Sequence, residues 1–167
     1  MKPVARRSNL TNVSFAICFS SLLFSSVAGL MGCDEQGEDY LKGSLVKSYK
    51  IDFDSTRVRL YSSELAIDYV SEESQGELIS LRVTVDVAGK TVQAGMSFDL
   101  EEEGSIQRGQ GFGSELPELK SGTLTLLDYA PENASHVSGE FQAVFIGTNG
   151  AELSLRGGFA APLEVVQ

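Results

Sequence analysis

Residues 137–163, VSGEFQAVFIGTNGAELSLRGGFAAPL, consist of two largely apolar stretches with a short polar stretch between them. In each stretch apolar and polar residues alternate, which is typical of a β-strand with one buried face. The intervening Thr148-Asn149-Gly150 predicts a three-residue hairpin loop with Gly150 in the left-handed conformation. In that register Phe145 pairs with Leu153. The segment therefore predicts an antiparallel hairpin.

The same register places Phe141 opposite Gly157 and Phe159 opposite Gly139. A phenylalanine ring can lie across a glycine, which has no side chain to fill its own site. This pairing of G-x-F elements resembles the pattern in a loose group of bacterial lipoproteins whose sheets end in similar hairpins, most of them without a known activity. The resemblance extends over this hairpin alone and implies no functional residues.

Two segments earlier in the chain show the same alternation. KSYKIDF, residues 47–53, predicts a strand that turns into a second one, with Asp52 opposite Arg57 or Arg59. ELAIDYV, residues 64–70, predicts a further strand with Leu, Ile and Tyr on one face.

Residues 77–100, ELISLRVTVDVAGKTVQAGMSFDL, predict a long hairpin around Gly89-Lys90. In this register every inward pair is apolar, and Val83 lies opposite Met96. A slip of one residue would turn the whole apolar set toward solvent, so the pattern favours this one pairing.

No segment after residue 33 shows a clear helical period, and strands with frequent turns account for the rest of the chain. The sequence therefore predicts an all-β fold, a single antiparallel β-sandwich of about eight or nine strands. A small closed β-barrel is the alternative.

The N-terminus has the composition of an export signal. Residues 1–12 carry Lys2, Arg6 and Arg7 and no acidic residue, and residues 13–32 carry no charge. A basic start followed by an apolar run with a small-residue end is typical of a cleaved signal peptide.

The apolar run ends in Leu30-Met31-Gly32-Cys33, which resembles the lipobox of bacterial lipoproteins. The resemblance implies cleavage between Gly32 and Cys33, followed by acylation of Cys33 with lipid chains of the palmitate type. Two or more chains anchor a protein stably, whereas one chain gives only reversible binding. The alternative is an uncleaved signal anchor with an incidental cysteine.

These features divide the chain into three regions. We expect a lipoprotein signal peptide over residues 1–32, the lipidated cysteine with an acidic tether over residues 33–43, and the β-sandwich domain over residues 44–167. No disulfide is expected, because Cys18 leaves with the signal and Cys33 is committed to lipid.

The expected location is the bacterial cell envelope, with a lipid anchor in the outer membrane rather than the inner membrane. Asp34 directly follows Cys33 and argues for the inner membrane, because an aspartate at this position retains lipoproteins there in enteric bacteria.

The charge of the exported part excludes one class of partner. All 23 acidic residues follow Gly32 but only ten of the 13 basic residues do, so residues 33–167 carry a net charge of about −13. Such a surface repels phosphate backbones, so we expect no nucleic-acid partner.

The residues that support catalysis or metal binding are few. His136 is the single histidine and has no cysteine to act with, so no catalytic triad and no zinc site are expected. Asp52 with Asp54, and residues 101–103, lack the spacing of a calcium loop, so no metal and no cofactor are expected. A carboxylate-based hydrolase is the enzymatic alternative, because acidic residues are plentiful.

Residues 101–122, EEEGSIQRGQGFGSELPELKSG, are longer than most connections between strands. Phe112 lies among three glycines, and Arg108 is close to it in the sequence. We interpret the segment as a candidate binding loop with Phe112 as apolar anchor and Arg108 beside it. The alternative is a flexible glycine-rich connection in which Ile106 belongs to a short strand.

The sequence thus predicts a non-enzymatic, lipid-anchored cell-envelope protein whose β domain binds or scaffolds another envelope or extracellular component. The alternative is a lipid-anchored carrier of a small apolar ligand. Membrane lipid, held through acylated Cys33, is the one partner that the residues indicate directly.

Overall fold

The computed structural model of the chain describes residues 37–73, 76–109 and 115–166. Within those ranges no helix is long and apolar enough to span a membrane. The predicted signal peptide, the segment that resembles a lipobox and Phe112 lie outside the described residues. The elements in chain order are β1 (Tyr40–Lys42), α1 (Ser44–Tyr49), β2 (Ser55–Leu60), β3 (Glu64–Glu73), β4 (Gly76–Asp86), β5 (Ser97–Asp99), β6 (Gly104–Arg108), β7 (Glu118–Asp128), β8 (His136–Ile146) and β9 (Glu152–Val165).

Eight of these strands form one sheet in the order β5-β7-β8-β9-β2-β3-β4-β6, and β1 pairs with β9 beside this path. All neighbours are antiparallel except β2 and β9, which are parallel. The strands at the two ends of the order, β5 and β6, follow each other in the chain, and the sheet is nearly closed into a barrel. The predicted all-β domain of eight or nine strands is confirmed. Its sheet is nearly closed, as in the barrel that was the alternative to a sandwich.

Strand β9 is the longest strand and holds the two halves of the sheet together. One of its edges pairs with β8 along the whole length of β8. The other edge is shared, because β1 pairs with Arg156–Gly158 and β2 pairs with Leu163–Val165.

The inward faces of the strands form a single hydrophobic core. The alternation predicted for residues 64–70 is confirmed, since Leu65, Ile67 and Tyr69 are fully buried. The largest of the other fully buried side chains are Phe98, Phe145, Phe159, Leu45, Leu81, Leu100, Leu124, Leu126 and Leu155.

The hairpin of β8 and β9 has the predicted register. Phe145 pairs with Leu153, and Gly150 has a φ of 76°, the left-handed conformation that the three-residue loop requires. The loop is closed by a hydrogen bond from the Gly147 amide to the Ala151 carbonyl, 2.8 Å long.

Two phenylalanine rings of this hairpin lie on glycines, as predicted. Phe141 pairs with Gly157, and Phe159 pairs with Gly139. A Cβ atom at either glycine would overlap the opposing ring, so no larger residue fits there without moving the ring.

Tyr69 joins the two sides of the barrel through its interior. Its hydroxyl donates to the carbonyl of Gly158 on β9, 2.8 Å away. The rings of Phe53 and Phe141 contact it edge to face, with centroids 4.9 Å and 6.1 Å away. Burial raises the pKa of the Tyr69 phenol well above its usual range, and the negative charge of Asp39 raises it further.

The prediction of a strand over residues 47–53 is wrong, because α1 occupies its first part. Leu45 at the start of α1 is fully buried against the core, and Lys50 ends the helix with a left-handed φ of 50°. The alternation of apolar residues through Ile51 and Phe53 is therefore not a strand pattern. The buried side chains of this segment contribute to the core cluster, and α1 contacts β9.

Part of the segment that we assigned to a tether is a strand. Tyr40–Lys42, placed in a tether that reached residue 43, belongs to the sheet as β1. The carboxylate of Asp39 also accepts a hydrogen bond from the Ala160 amide, 2.8 Å long. The β domain therefore includes these residues, which precede residue 44.

The hairpin predicted over residues 77–100 is also wrong in its second half. Strand β4 faces inward as expected, but its partner is β6, so Val83 pairs with Ile106 and not with Met96. Residues 87–96 form turns, and β5 pairs with β7. Ile106 fits the inward position opposite Val83 as well as Met96 does in the predicted register. The apolar pattern alone therefore does not distinguish the two partners.

We expect Phe141→Ala to destabilise the protein by about 3–5 kcal/mol, because the ring is buried and its removal leaves a cavity over Gly157. Chemical denaturation followed by circular dichroism measures the change in the free energy of unfolding. Gln142→Ala, at the exposed neighbouring position, is the control and should change it by less than about 0.5 kcal/mol. A small effect of Phe141→Ala would contradict the ring-on-glycine packing.

The raised pKa of Tyr69 predicts a loss of stability at alkaline pH. In the unfolded chain a tyrosine ionises near pH ~10, whereas folding keeps Tyr69 protonated to higher pH. Its contribution to stability is therefore complete below pH ~10 and falls as the pH rises toward the folded-state value.

Denaturation at a series of pH values from about 8 to 11 tests this expectation. The Tyr69→Phe variant should lose about 1 kcal/mol at neutral pH, with the hydrogen bond to Gly158, and show a shallower alkaline decline than the wild type. The other tyrosines contribute to both curves, so their difference isolates Tyr69. Identical slopes would show that Tyr69 does not cause the decline.

Candidate functional site

The barrel end away from α1 opens into a cleft of about 810 Å³. Its wall is mostly apolar, and the hydroxyl-bearing side chains of Tyr61 and Tyr129 also line it. Lys90 lies at the same surface. The mouth of a β-barrel is a common place for a ligand site, and such sites combine apolar walls with a few polar groups. The apolar side chains are those of Leu60, Val87, Val92, Pro131, Val165 and Val166.

The cleft exists because residues 87–96 leave the sheet. Gly89 and Gly95 adopt positive φ angles of 68° and 81°, which allow two turns in this segment. The turns carry Val92 to the cleft wall. On the other side the β2–β9 pairing continues past β9, because the Val166 amide donates to the Leu60 carbonyl, 2.9 Å away.

The charged group at the cleft is already paired. The ammonium of Lys90 lies 2.9 Å from a carboxylate oxygen of Glu103 and 5.4 Å from the centre of the Phe98 ring. Burial raises the pKa of Tyr129, with a smaller contribution from the charge of Glu132. The site is thus suited to holding an apolar group beside phenol hydroxyls.

Arg108, one of the two predicted binding residues, lies at the other end of the barrel. Its guanidinium donates to the carbonyl of Tyr49 at 2.8 Å and lies 5.9 Å from the centre of the Tyr49 ring. Arg108 therefore holds the end of α1 against β6. Phe112, its predicted partner, lies outside the described residues, so the structure does not bring the two together.

Residues of both acidic segments considered for metal binding make local contacts. The Asp54 carboxylate accepts from the Glu72 amide at 2.7 Å, the Glu101 amide donates to Asp99 at 2.8 Å, and Glu103 pairs with Lys90. His136 is exposed, and its Nδ1 lies 3.9 Å from a carboxylate oxygen of Asp128. Across the described ranges, no three His, Cys, Asp or Glu side chains are grouped in a way that could hold a metal ion.

The predicted pairing of Asp52 with Arg57 or Arg59 is wrong. The partner of Arg59 belongs to a cluster of charged side chains on the outer face of β2, β3 and β4. Asp68, not Asp52, is the partner of Arg59, and the Asp68 carboxylate is fully buried. Arg82 donates to the same carboxylate through Nε at 2.5 Å and Nη2 at 3.0 Å. The hydrogen bond to Asp68 raises the pKa of Arg82. Arg57 pairs with Glu77 instead.

Sequence reasoning did not find the cleft. It assigned Val87 and Val92 to a hairpin. The sequence signal that could have indicated the cleft is the apolar pair Val165 and Val166. These two residues continue from the paired part of β9 to the cleft wall.

Comparison with known proteins adds no assignment. No family model matches the chain, and neither a curated protein nor a solved structure is significantly similar to it. The function is therefore argued from the residues and their geometry.

Proposed function

We propose that the protein is a lipid-anchored, non-enzymatic component of the bacterial cell envelope whose β domain binds another envelope or extracellular component. The observation that carries the binding function is the exposed apolar cleft at the open end of the barrel. Ligand sites combine apolar walls with a few polar groups, as this cleft does.

The anchor is supported by the sequence around Cys33 and by the position of Asp39 on the domain. Only five residues lie between Cys33 and Asp39, whose side chain is bound to β9, so six residue-to-residue steps join them. A fully extended chain of that length spans about 20 Å, so the anchor would hold the domain close to the bilayer. The outer membrane is the proposed location.

The second candidate function, carriage of a small apolar ligand, is favoured by the same cleft. Its volume of about 810 Å³ lies within the range of small-molecule sites, and apolar side chains predominate in its wall. A carrier would retain a low-mass apolar compound when purified natively, whereas a scaffold would retain a protein partner after crosslinking.

We expect Cys33→Ser to release the protein from the membrane, because the substitution removes the sulfur that would carry the lipid. Sedimentation of membranes from cells that make the wild type or the variant measures the change. Protease treatment of intact cells then shows whether the anchored domain faces outward or toward the periplasm. If the variant sediments as the wild type does, the segment before Cys33 is an uncleaved anchor and the lipid proposal fails.

We expect Val92→Asp to abolish binding at the cleft, because a charge on the apolar wall disfavours any apolar occupant. Ala94→Asp is the matched control, since Ala94 is exposed, belongs to the same loop and does not line the cleft. A photo-crosslinking residue at Thr91, on the exposed part of the wall, reports a protein partner. Native mass spectrometry reports a retained small molecule.

Thermal melting of both variants must show that they fold, because Val92 is partly buried against the core whereas Ala94 is exposed. Loss of the crosslink or of the retained compound in Val92→Asp alone supports the cleft as the binding site. Equal retention in both variants would contradict it.

A further inference from the structure

The apolar cleft adjoins a second depression, of about 490 Å³, at the start of β3, the end of β4 and the start of β6. Ser62 and Val87 line the cleft, and the residues that follow them in the chain, Ser63 and Ala88, line this depression. We call it the acidic depression, because its lining includes four carboxylates, those of Glu64, Asp86, Glu102 and Glu103.

The two surfaces are held side by side by direct contacts. The Val87 amide donates to the Ser63 carbonyl, 2.9 Å away, at the boundary between them. Lys90 of the cleft wall pairs with Glu103 of the acidic depression, with 2.9 Å between the ammonium and a carboxylate oxygen. A ligand seated in the cleft is therefore within reach of the acidic depression.

The charge that the two surfaces present is negative. Lys90 is the single charged side chain of the cleft wall among the residues that the structure describes, and Glu103 neutralises it. The described lining of the acidic depression contains no basic residue. Asp86 and Glu102 are both exposed, and neither forms an ion pair within the described ranges. The Asp86 carboxylate accepts a local hydrogen bond from the Ala88 amide, 2.9 Å long.

Separate organic cations fit these carboxylates better than a single metal ion does. A metal ion such as calcium needs several oxygen ligands that converge on one point. No three acidic, histidine or cysteine side chains of the described residues are grouped in that way. Carboxylates that lie apart suit the ammonium and guanidinium groups of Lys and Arg side chains, because each can pair with one of them.

The size of the combined surface favours an extended peptide. Small-molecule sites have volumes of about 300–1,000 Å³. The cleft of about 810 Å³ lies within that range by itself, and the acidic depression adds about 490 Å³. In an extended peptide, side chains that point the same way are about 7 Å apart. Such a peptide can place apolar side chains in the cleft and basic side chains in the acidic depression.

The charges farther from the acidic depression favour the same partner. Burial raises the pKa of Tyr129 in the cleft wall, and the negative charge of Glu132 raises it further, so a carboxylate also acts on this part of the cleft. Residues 33–167 carry about 13 excess negative charges. A field of this sign speeds the encounter with a basic partner and disfavours an acidic one.

We propose that the cleft and the acidic depression together bind an extended peptide segment of a partner protein, in which apolar side chains adjoin Lys or Arg. The apolar side chains lie in the cleft against Val92, and the basic side chains pair with Asp86 and Glu102. This assignment rests on the proposed binding function of the cleft and adds the chemistry of the partner.

Selection from a library of random short peptides tests the assignment. The target is the full-length protein in nanodiscs of phosphatidylcholine, and peptides that bind empty nanodiscs are removed first. We expect the selected peptides to combine apolar residues with Lys or Arg. Their affinity, measured by fluorescence anisotropy, should fall as the salt concentration rises from about 0.05 to 0.5 M, because salt screens exposed ion pairs.

Two variants locate the contacts of a selected peptide. Val92→Asn makes the cleft wall polar without changing its charge, and should weaken binding about fivefold or more. Asp86→Asn combined with Glu102→Gln removes two carboxylate charges, and should also weaken binding about fivefold or more. The asparagine at position 86 can still accept the hydrogen bond from the Ala88 amide.

Glu115→Gln combined with Glu118→Gln is the matched control for the charge. Both residues are exposed, and they lie at the end of β7 remote from the cleft. The control removes the same charge as the Asp86 and Glu102 variant and should leave the affinity within about twofold, because screening limits its effect at that distance. Thermal melting establishes that each variant folds.

Each of the other outcomes overturns the proposal. If no peptide is selected, or if the selected peptides lack basic residues, the surface does not recognise a basic segment. Equal losses in the two double variants would mean a general attraction of charge. Loss of binding in Val92→Asn alone would refute the role of the acidic depression while leaving the cleft as a binding site, so this proposal and the proposed function fail separately.

Discussion

The packing of aromatic rings on glycine backbone in the β8–β9 hairpin is the constraint on which the rest of the barrel depends. Gly157 leaves room for the Phe141 ring inside the barrel, and Gly158 leaves room for the Tyr40 ring on the outside. The same two residues lie at the edge where β1 joins β9. The Gly158 carbonyl also accepts a hydrogen bond from the Tyr69 hydroxyl across the core. A side chain at either glycine would displace a ring, and β1 with it, because the spaces are already filled.

The β8–β9 hairpin was predictable because its determinants are local. The loop of residues 148–150 and the opposed glycines and rings set the register without reference to other strands. The partner of β4 was not predictable in the same way. A period of two identifies the face of a strand but not its neighbour, so Met96 and Ile106 were equally good partners for Val83. Helix α1 was missed because its six residues are stabilised by tertiary contacts, including the burial of Leu45.

The candidate sites were less predictable than the fold because each combines segments that are distant in the sequence. The cleft brings together residues 60–62, 87–92, 129–131 and 165–166, none of which carries a motif. Conversely, Arg108 stood out in the sequence beside glycines, yet it binds the backbone of α1.

The strong negative charge of the domain restricts the surfaces that it can approach. A polyanion or an anionic membrane surface meets the charge of the whole domain and is repelled. With an anchor at Cys33, as proposed, the domain would stay within about 20 Å of the bilayer, and this repulsion would oppose direct contact between its surface and anionic lipid.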